Sequence, residues 1–276
     1  MILVASRSSV RVKASAILIV ATFIIGAWAG IAVAQTDEIQ VYDAGHAAPG
    51  VFNLTWHNNF TPVGDDRPAF PGAVVAEKSF NGVTEWAYGV TPWFEQGLYL
   101  PLYSADKNLG VTIDGFKIRE LFTVPNAVAR RFVYGVNFEL SVNSKHWDSS
   151  RVTSEVRPII GWHLKAWDLI VNPILDTAYD GVKNLDFAPE TRVAYNLSPM
   201  WAIAAEEYAD YGPLRQFYAP DRQVHQLYAV VDRRSKVLDV EFGAGFGLTD
   251  ASDRLVLKLL VSRDLNACHK APNQNR

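Results

Sequence analysis

The residues best placed to do chemistry in this 276-residue chain are charged side chains spaced two apart in otherwise apolar runs. Glu155 is followed by Arg157, and Glu190 by Arg192. Glu139, His163, Asp176, Glu206, Asp239 and Glu241 hold the same alternate positions in other runs, as do Glu95, Lys117, Arg119, Asp168, Asp210 and Lys258. A spacing of two puts side chains on one face of a strand. Acids and bases gathered on one face suit a polar constriction that selects solutes by charge, with Glu155/Arg157 and Glu190/Arg192 as its most charged rungs. The same set also suits mutual neutralisation across neighbouring strands, which would fill a narrow lumen. The sequence leaves both open.

Other chemistry finds little support. The strand histidines are His57, His163 and His225, and no G-x-S-x-G turn offers a nucleophile to any of them, so no catalytic residue is expected and His57 reads as a hydrogen-bonding group. There is no HExxH, no histidine cluster and no EF-hand spacing, so neither metal nor cofactor is expected. Cys268 is the sole cysteine, which excludes an intramolecular disulfide and a CxxC site. Gly243, Gly245 and Gly247 alternate inside a strand with no helix after them, so they mark curvature or close packing against a bulky residue rather than a dinucleotide loop.

The elements that must position the charged residues show period two. Between Arg131 and Asn143, Phe132, Tyr134, Val136, Phe138, Leu140 and Val142 fall on one face, with Asn137, Glu139 and Ser141 on the other. The pattern recurs about twelve times between residues 50 and 263, in runs of roughly 9–13 residues. Membrane strands need about 9–11 residues, whereas strands of soluble proteins average about five or six. The links alternate between short (Thr91-Pro92-Trp93, Lys165-Ala166, Ser198-Pro199-Met200, Arg233-Arg234-Ser235) and long (about 61–80, 104–114, 144–153, 178–185 and 212–224). This predicts a closed antiparallel transmembrane β-barrel of about twelve strands, with short periplasmic turns, longer outer loops and both termini on the turn side.

Residues 1–34 read as a cleaved signal peptide: Arg7, Arg11 and Lys13, an apolar run, then Ala32-Val33-Ala34. They carry three basic and no acidic residues, so their loss moves the formal charge from −3 to −6. A mildly acidic chain without a Lys/Arg cluster is no nucleic-acid binder. Residues 35–49 form either a periplasmic segment or a plug, 50–263 the barrel, and 264–276 a polar tail. The expected partners are outer-membrane lipid, the barrel-assembly machinery and a small solute.

Alternation also fits a soluble lipocalin-like carrier with its apolar face inward. The unbroken apolar face, its many aromatics (Trp56, Trp86, Trp162, Trp167, Trp201) and the Gly-rich polar face favour the membrane barrel. Glu120 and Glu207 fall on the face assigned to lipid and require a bulge, a register change or an interfacial position.

The stretch Trp86-Ala87-Tyr88-Gly89-Val90-Thr91-Pro92-Trp93-Phe94-Glu95-Gln96-Gly97-Leu98 joins a Tyr-Gly-hydrophobic-Thr turn to an aromatic and a Glu-x-Gly strand. It resembles the outer-membrane proteins named for the MetA pathway of phenol degradation. Tyr195–Trp201 repeats the pattern more weakly, and Gly50–Asn59 is similar to that group's opening strand. The resemblance spans most of residues 38–263. It implies an outer-membrane barrel, an association with aromatic-compound breakdown and a transporter-like role for small, hydrophobic or aromatic solutes. It supplies no site residues. The polar run from Asn266 to Arg276 departs from barrels that end in an aromatic residue read by the insertion machinery.

Overall fold

The computed structural model describes residues 38–266. The signal peptide, residues 35–37 and the tail beyond Asn266 lie outside the described residues, and no described helix is long and apolar enough to cross a membrane. Fourteen strand segments follow in chain order: β1 (Phe52–Val63), β2 (Phe80–Thr91), β3 (Phe94–Asp106), β4 (Gly110–Thr123), β5 (Phe132–Asn143), β6 (Val152–Leu164), β7 (Trp167–Asn172), β8 (Leu175–Thr177), β9 (Asp186–Phe187), β10 (Glu190–Ser198), β11 (Trp201–Asp210), β12 (Val224–Arg233), β13 (Asp239–Gly247) and β14 (Leu255–Asp264). Each pairs antiparallel with its neighbours, and β1 pairs with β14, from Asn53↔Asp264 to Val63↔Leu255, so the sheet closes.

Twelve strands make the wall. β7 and β8 both pair with β6 and are one strand interrupted at 173–174, while β9 and β10 are one strand interrupted at 188–189. Each gap contains a proline, Pro173 or Pro189, which has no N–H for the ladder. The gaps lie side by side, and Ala188 N donates to Ile174 O at 3.1 Å.

The faces separate as the alternation predicts. Phe52, Trp56, Trp86, Phe132, Tyr134, Phe138, Trp162, Trp167 and Trp201 are exposed on the outside. The neighbouring positions are buried although many are charged, and in a closed sheet that places them inside. At the turn end the outer aromatics touch across strands: Phe52–Tyr88 at 4.5 Å, Phe94–Phe122 at 4.8 Å, Trp167–Tyr195 at 4.9 Å and Phe132–Trp162 at 5.5 Å between ring centroids. This is one aromatic girdle, the side-chain class that favours a membrane–water boundary.

Four details differ from the sequence reading. The link expected at 104–114 is a tight hairpin of 107–109, because the strands run further than the apolar pattern. The turn end has one long connection, 124–131, with a 3-10 turn at Ala127–Ala129. Leu102, which the period of Leu98 and Leu100 would put outside with them, is fully buried: the ladder slips between Tyr99 and Leu102, at Pro101, and the phase of β3 reverses. The last strand runs to Asp264, with Leu265 N still donating to Phe52 O at 2.8 Å. Glu120 and Glu207 do face outward, each three residues from the end of its strand, and His225 Nδ1 meets Glu207 Oε1 at 3.1 Å.

The lumen as candidate functional site

Charged residues on the inner wall gather because paired positions of neighbouring antiparallel strands share a face. Around β10–β14, the Lys258 ammonium is fully buried between Glu206 Oε2 at 2.5 Å and Glu241 Oε1 at 2.6 Å. Arg192 reaches Glu206, Asp232 and, at 3.4 Å, Glu241. Tyr208 OH donates to Glu206 Oε2 at 2.7 Å. Glycines make room for this cluster: a Cβ on Gly243 would lie 2.9 Å from Lys258 Cε, and one on Gly245 2.3 Å from the Tyr228 ring.

A second cluster centres on Arg157. Its Nε meets Glu155 Oε1 at 2.6 Å and its Nη1 meets Glu190 Oε2 at 3.1 Å. The two rungs read from sequence are therefore not separate pairs. Arg157 serves both Glu155 and Glu190, and Arg192 turns to the other cluster. A third group lies on β1–β4, where Arg119 sits between Glu85 (2.6 Å) and Glu95 (2.5 Å), and His57 Nε2 meets Glu85 Oε2 at 3.0 Å. Glu139 accepts from Asn137 Nδ2 at 2.9 Å, with Lys117 Nζ 3.7 Å away. His163 Nδ1 meets Asp168 Oδ1 at 2.6 Å near the turn end. Asp176 lies on the inner face of β8, opposite Glu155. Asp239 is the exception among the sequence candidates. It is exposed at the rim and accepts a hydrogen bond from Ser235 N at 2.7 Å, which ties off the β12–β13 turn. A first strand residue beside a turn has a local partner to satisfy, and this outweighs the period that seemed to assign it to the lumen.

The charged groups also bind backbone. Residues 38–47 run among them, with Glu38, Ile39, Val41, Tyr42 and Ala44 buried. Lys258 Nζ donates to Ile39 O at 3.2 Å and Arg157 Nη1 to Gln40 O at 2.8 Å. Asn172 holds Tyr42 at both ends of its peptide unit: Tyr42 N donates to Asn172 Oδ1 at 2.7 Å, and Asn172 Nδ2 donates to Tyr42 O at 3.0 Å. Ala47 N donates to Glu95 Oε2 at 2.5 Å. The Tyr42 and Tyr99 hydroxyls meet at 2.5 Å, and the Arg157 guanidinium lies 4.6 Å over the Tyr42 ring. Below these polar contacts, Val41, Tyr42 and Ala44 pack on Leu121, Val124, Val133, Ile159 and Ile170. A buried chain without its own secondary structure must find partners for its N–H and C=O groups, and the lumen side chains provide them.

Sequence reasoning missed Asp232, Tyr42 and Glu38. Asp232, just before the Arg233-Arg234-Ser235 link, stays unassigned in the sequence because Tyr228 and Val230, which share its inner face, are apolar and break the alternation. The stretch around Tyr42 is too short and irregular for any period.

No family model matches this chain, and no curated protein matches it. Among solved structures, the chain is similar to the COG4313 outer membrane channel from Pseudomonas putida F1: 13% identity, TM-score 0.57, covering 82% of this chain and all of that one. What the two share is the closed antiparallel β-barrel fold. It is also similar to the NanC porin at 8% identity and TM-score 0.50, covering 78% of this chain and all of that one. At such identities the likeness is one of fold.

Proposed function

We propose that this protein is an outer-membrane barrel through which a small solute passes, and that residues 38–49 plug it at rest. The observation that carries this reading is the bonding of residues 39–47 to Lys258, Arg157, Asn172 and Glu95 inside the wall. A barrel of about eight strands is filled by side chains and one of about sixteen is open, so twelve strands leave room that a peptide segment can occupy. The segment meets the sheet backbone at an isolated bridge, Pro49↔Gly89, and takes part in no strand ladder, so it can leave with the ladders of the wall intact.

The test is deletion of residues 38–49 behind an intact signal peptide. The unboiled protein should keep its fast gel mobility, and liposomes carrying it should swell faster in small sugars than those carrying the full chain. Equal swelling by a variant that retains its mobility shift would overturn the plug.

A second reading concerns the solute. The resemblance to proteins named for phenol degradation suggests an aromatic compound. One observation favours it: if the segment moved, it would uncover the apolar inner surface of Leu121, Val133, Ile159 and Ile170. Phenol-dependent quenching of a tryptophan introduced at Ile159, in the deletion variant and not in the full chain, would support this. Quenching indifferent to the deletion would end it.

A further inference from the structure

The inner wall carries a row of like charges that its ion pairs offset only in part. Arg119 on β4 stands opposite Glu139 on β5, and Glu139 stands opposite Glu155 on β6. Glu155 is opposite Asp176 on β8, and Asp176 is opposite Asp186 on β9. Directly paired residues share a face, so four carboxylates in succession lie side by side on four neighbouring strands. Adjacent side chains in such a row start about 4.5–5.5 Å apart, and like charges placed this way repel. The row begins at the loop end of β9 and descends into the lumen as far as Arg119, which is already engaged by Glu85 and Glu95.

The cations bonded to the row do not balance it. Glu155 shares Arg157 with Glu190, and Lys117 stays 3.7 Å from Glu139. The Asp176 and Asp186 carboxylates make no hydrogen bond among the described residues. Two buried acceptors beside the row also lack a donor. Glu38, 7% exposed, has an Oε1 with no hydrogen-bond partner, and it lies close enough to Glu139, Glu190 and Arg157 to act on each electrostatically. Asn137, fully buried, gives its Nδ2 to Glu139 and leaves its Oδ1 unpartnered. A buried acceptor without a donor is costly, and native interiors rarely keep one. Beside this row the buried groups that lack a partner, Glu38 Oε1 and Asn137 Oδ1, are both acceptors and call for an N–H donor, which among the carboxylates is best met by a cationic one. The described carboxylates are not grouped closely enough to chelate a metal ion, and their spacing across strands fits an extended molecule instead.

We propose that the row Asp186–Asp176–Glu155–Glu139, completed by Glu38, binds a solute carrying ammonium or guanidinium groups, which enters from the loop end. This names the substrate class of the passage reading and rests on it, but binding can be measured without passage. The probe is spermidine, titrated calorimetrically into the full chain folded in a non-ionic detergent, with glutarate as the anionic control. Saturable spermidine binding that weakens with added salt is expected, with none for glutarate. The double variant Asp176→Asn/Asp186→Asn removes two carboxylates that hold no part of the wall together, and its gel-mobility shift should be unchanged. It should bind spermidine about tenfold more weakly, or less tightly still, as the loss of charge-assisted hydrogen bonds requires. No saturable binding, or equal binding by wild type and variant, would overturn the site. A protein that binds spermidine yet passes no solute would sink the passage reading and leave the site standing.

Discussion

Lys258 on the last strand donates to the carbonyl oxygen of Ile39, 219 residues earlier in the chain, across 3.2 Å inside the barrel. The same ammonium stands between Glu206 and Glu241, so one cation neutralises the wall and anchors the segment. Burying such a group costs desolvation that only close partners offset, and removing one partner leaves the others uncompensated.

Lys258→Met should therefore destabilise the barrel by about 3–5 kcal/mol, the usual consequence of breaking a buried ion pair from one side. The temperature at which the fast, unboiled gel band disappears should fall. Adding Glu206→Gln and Glu241→Gln should recover part of the loss. A lone Lys258→Met protein that melts like wild type would mean that the carboxylates are already neutral.

Asn172→Ala should act on the segment and spare the wall. It removes two hydrogen bonds to Tyr42, worth about 1 kcal/mol each, while the strand pairing of β7 with β10 uses backbone alone. Hydrogen exchange at residues 39–44 should speed up with strand exchange unchanged. Uniform protection in both proteins would show that apolar packing alone holds the segment.

Gly245→Ala tests how tightly the inner wall is filled. Its new methyl would overlap the buried Tyr228 ring, a rigid neighbour, and overpacking of this kind costs about 1–3 kcal/mol. The penalty should shrink in a Tyr228→Ala background, and a thermal double-mutant cycle reads the difference. Additive effects would put the ring elsewhere.

Phe138→Arg tests which face meets lipid. Phe138 lies midway along β5 on the exposed face. A cation at mid-membrane on that face costs about 2–4 kcal/mol, so folding yield into lipid vesicles should fall sharply. A water-soluble barrel with an apolar interior would tolerate the change, and full yield would support that carrier instead.

The wall was legible in sequence because its signal is repetitive. Phe132 to Val142 announces a strand by itself, and eleven similar runs and their spacing imply closure. The lumen was legible only as a set of residues. Sequence placed Arg157 beside Glu155 but not beside Glu190, because that pairing depends on which strands adjoin. It assigned Arg192 to Glu190, whereas the structure turns Arg192 toward Glu206 and Asp232 on the next two strands. Leu102 departs from the period of Leu98 and Leu100 because the phase of β3 reverses at Pro101. Residues 38–47 carry no period, since their partners are side chains from nearly every part of the wall and not a neighbouring strand.

The pairing of β1 with β14 also sets an order in time. Asn53 meets Asp264, and the donor for Ile39 sits on β14, so neither the first strand nor the segment before it has its final partner until the last strand has been synthesised and exported. Contacts so distant along the chain form late and slowly. Until then Glu206 has no ammonium beside it and the edge of β1 stays unpaired. The seam of the wall and the Lys258 anchor of the segment thus form together and late, and a chain cut short before β14 would lack both.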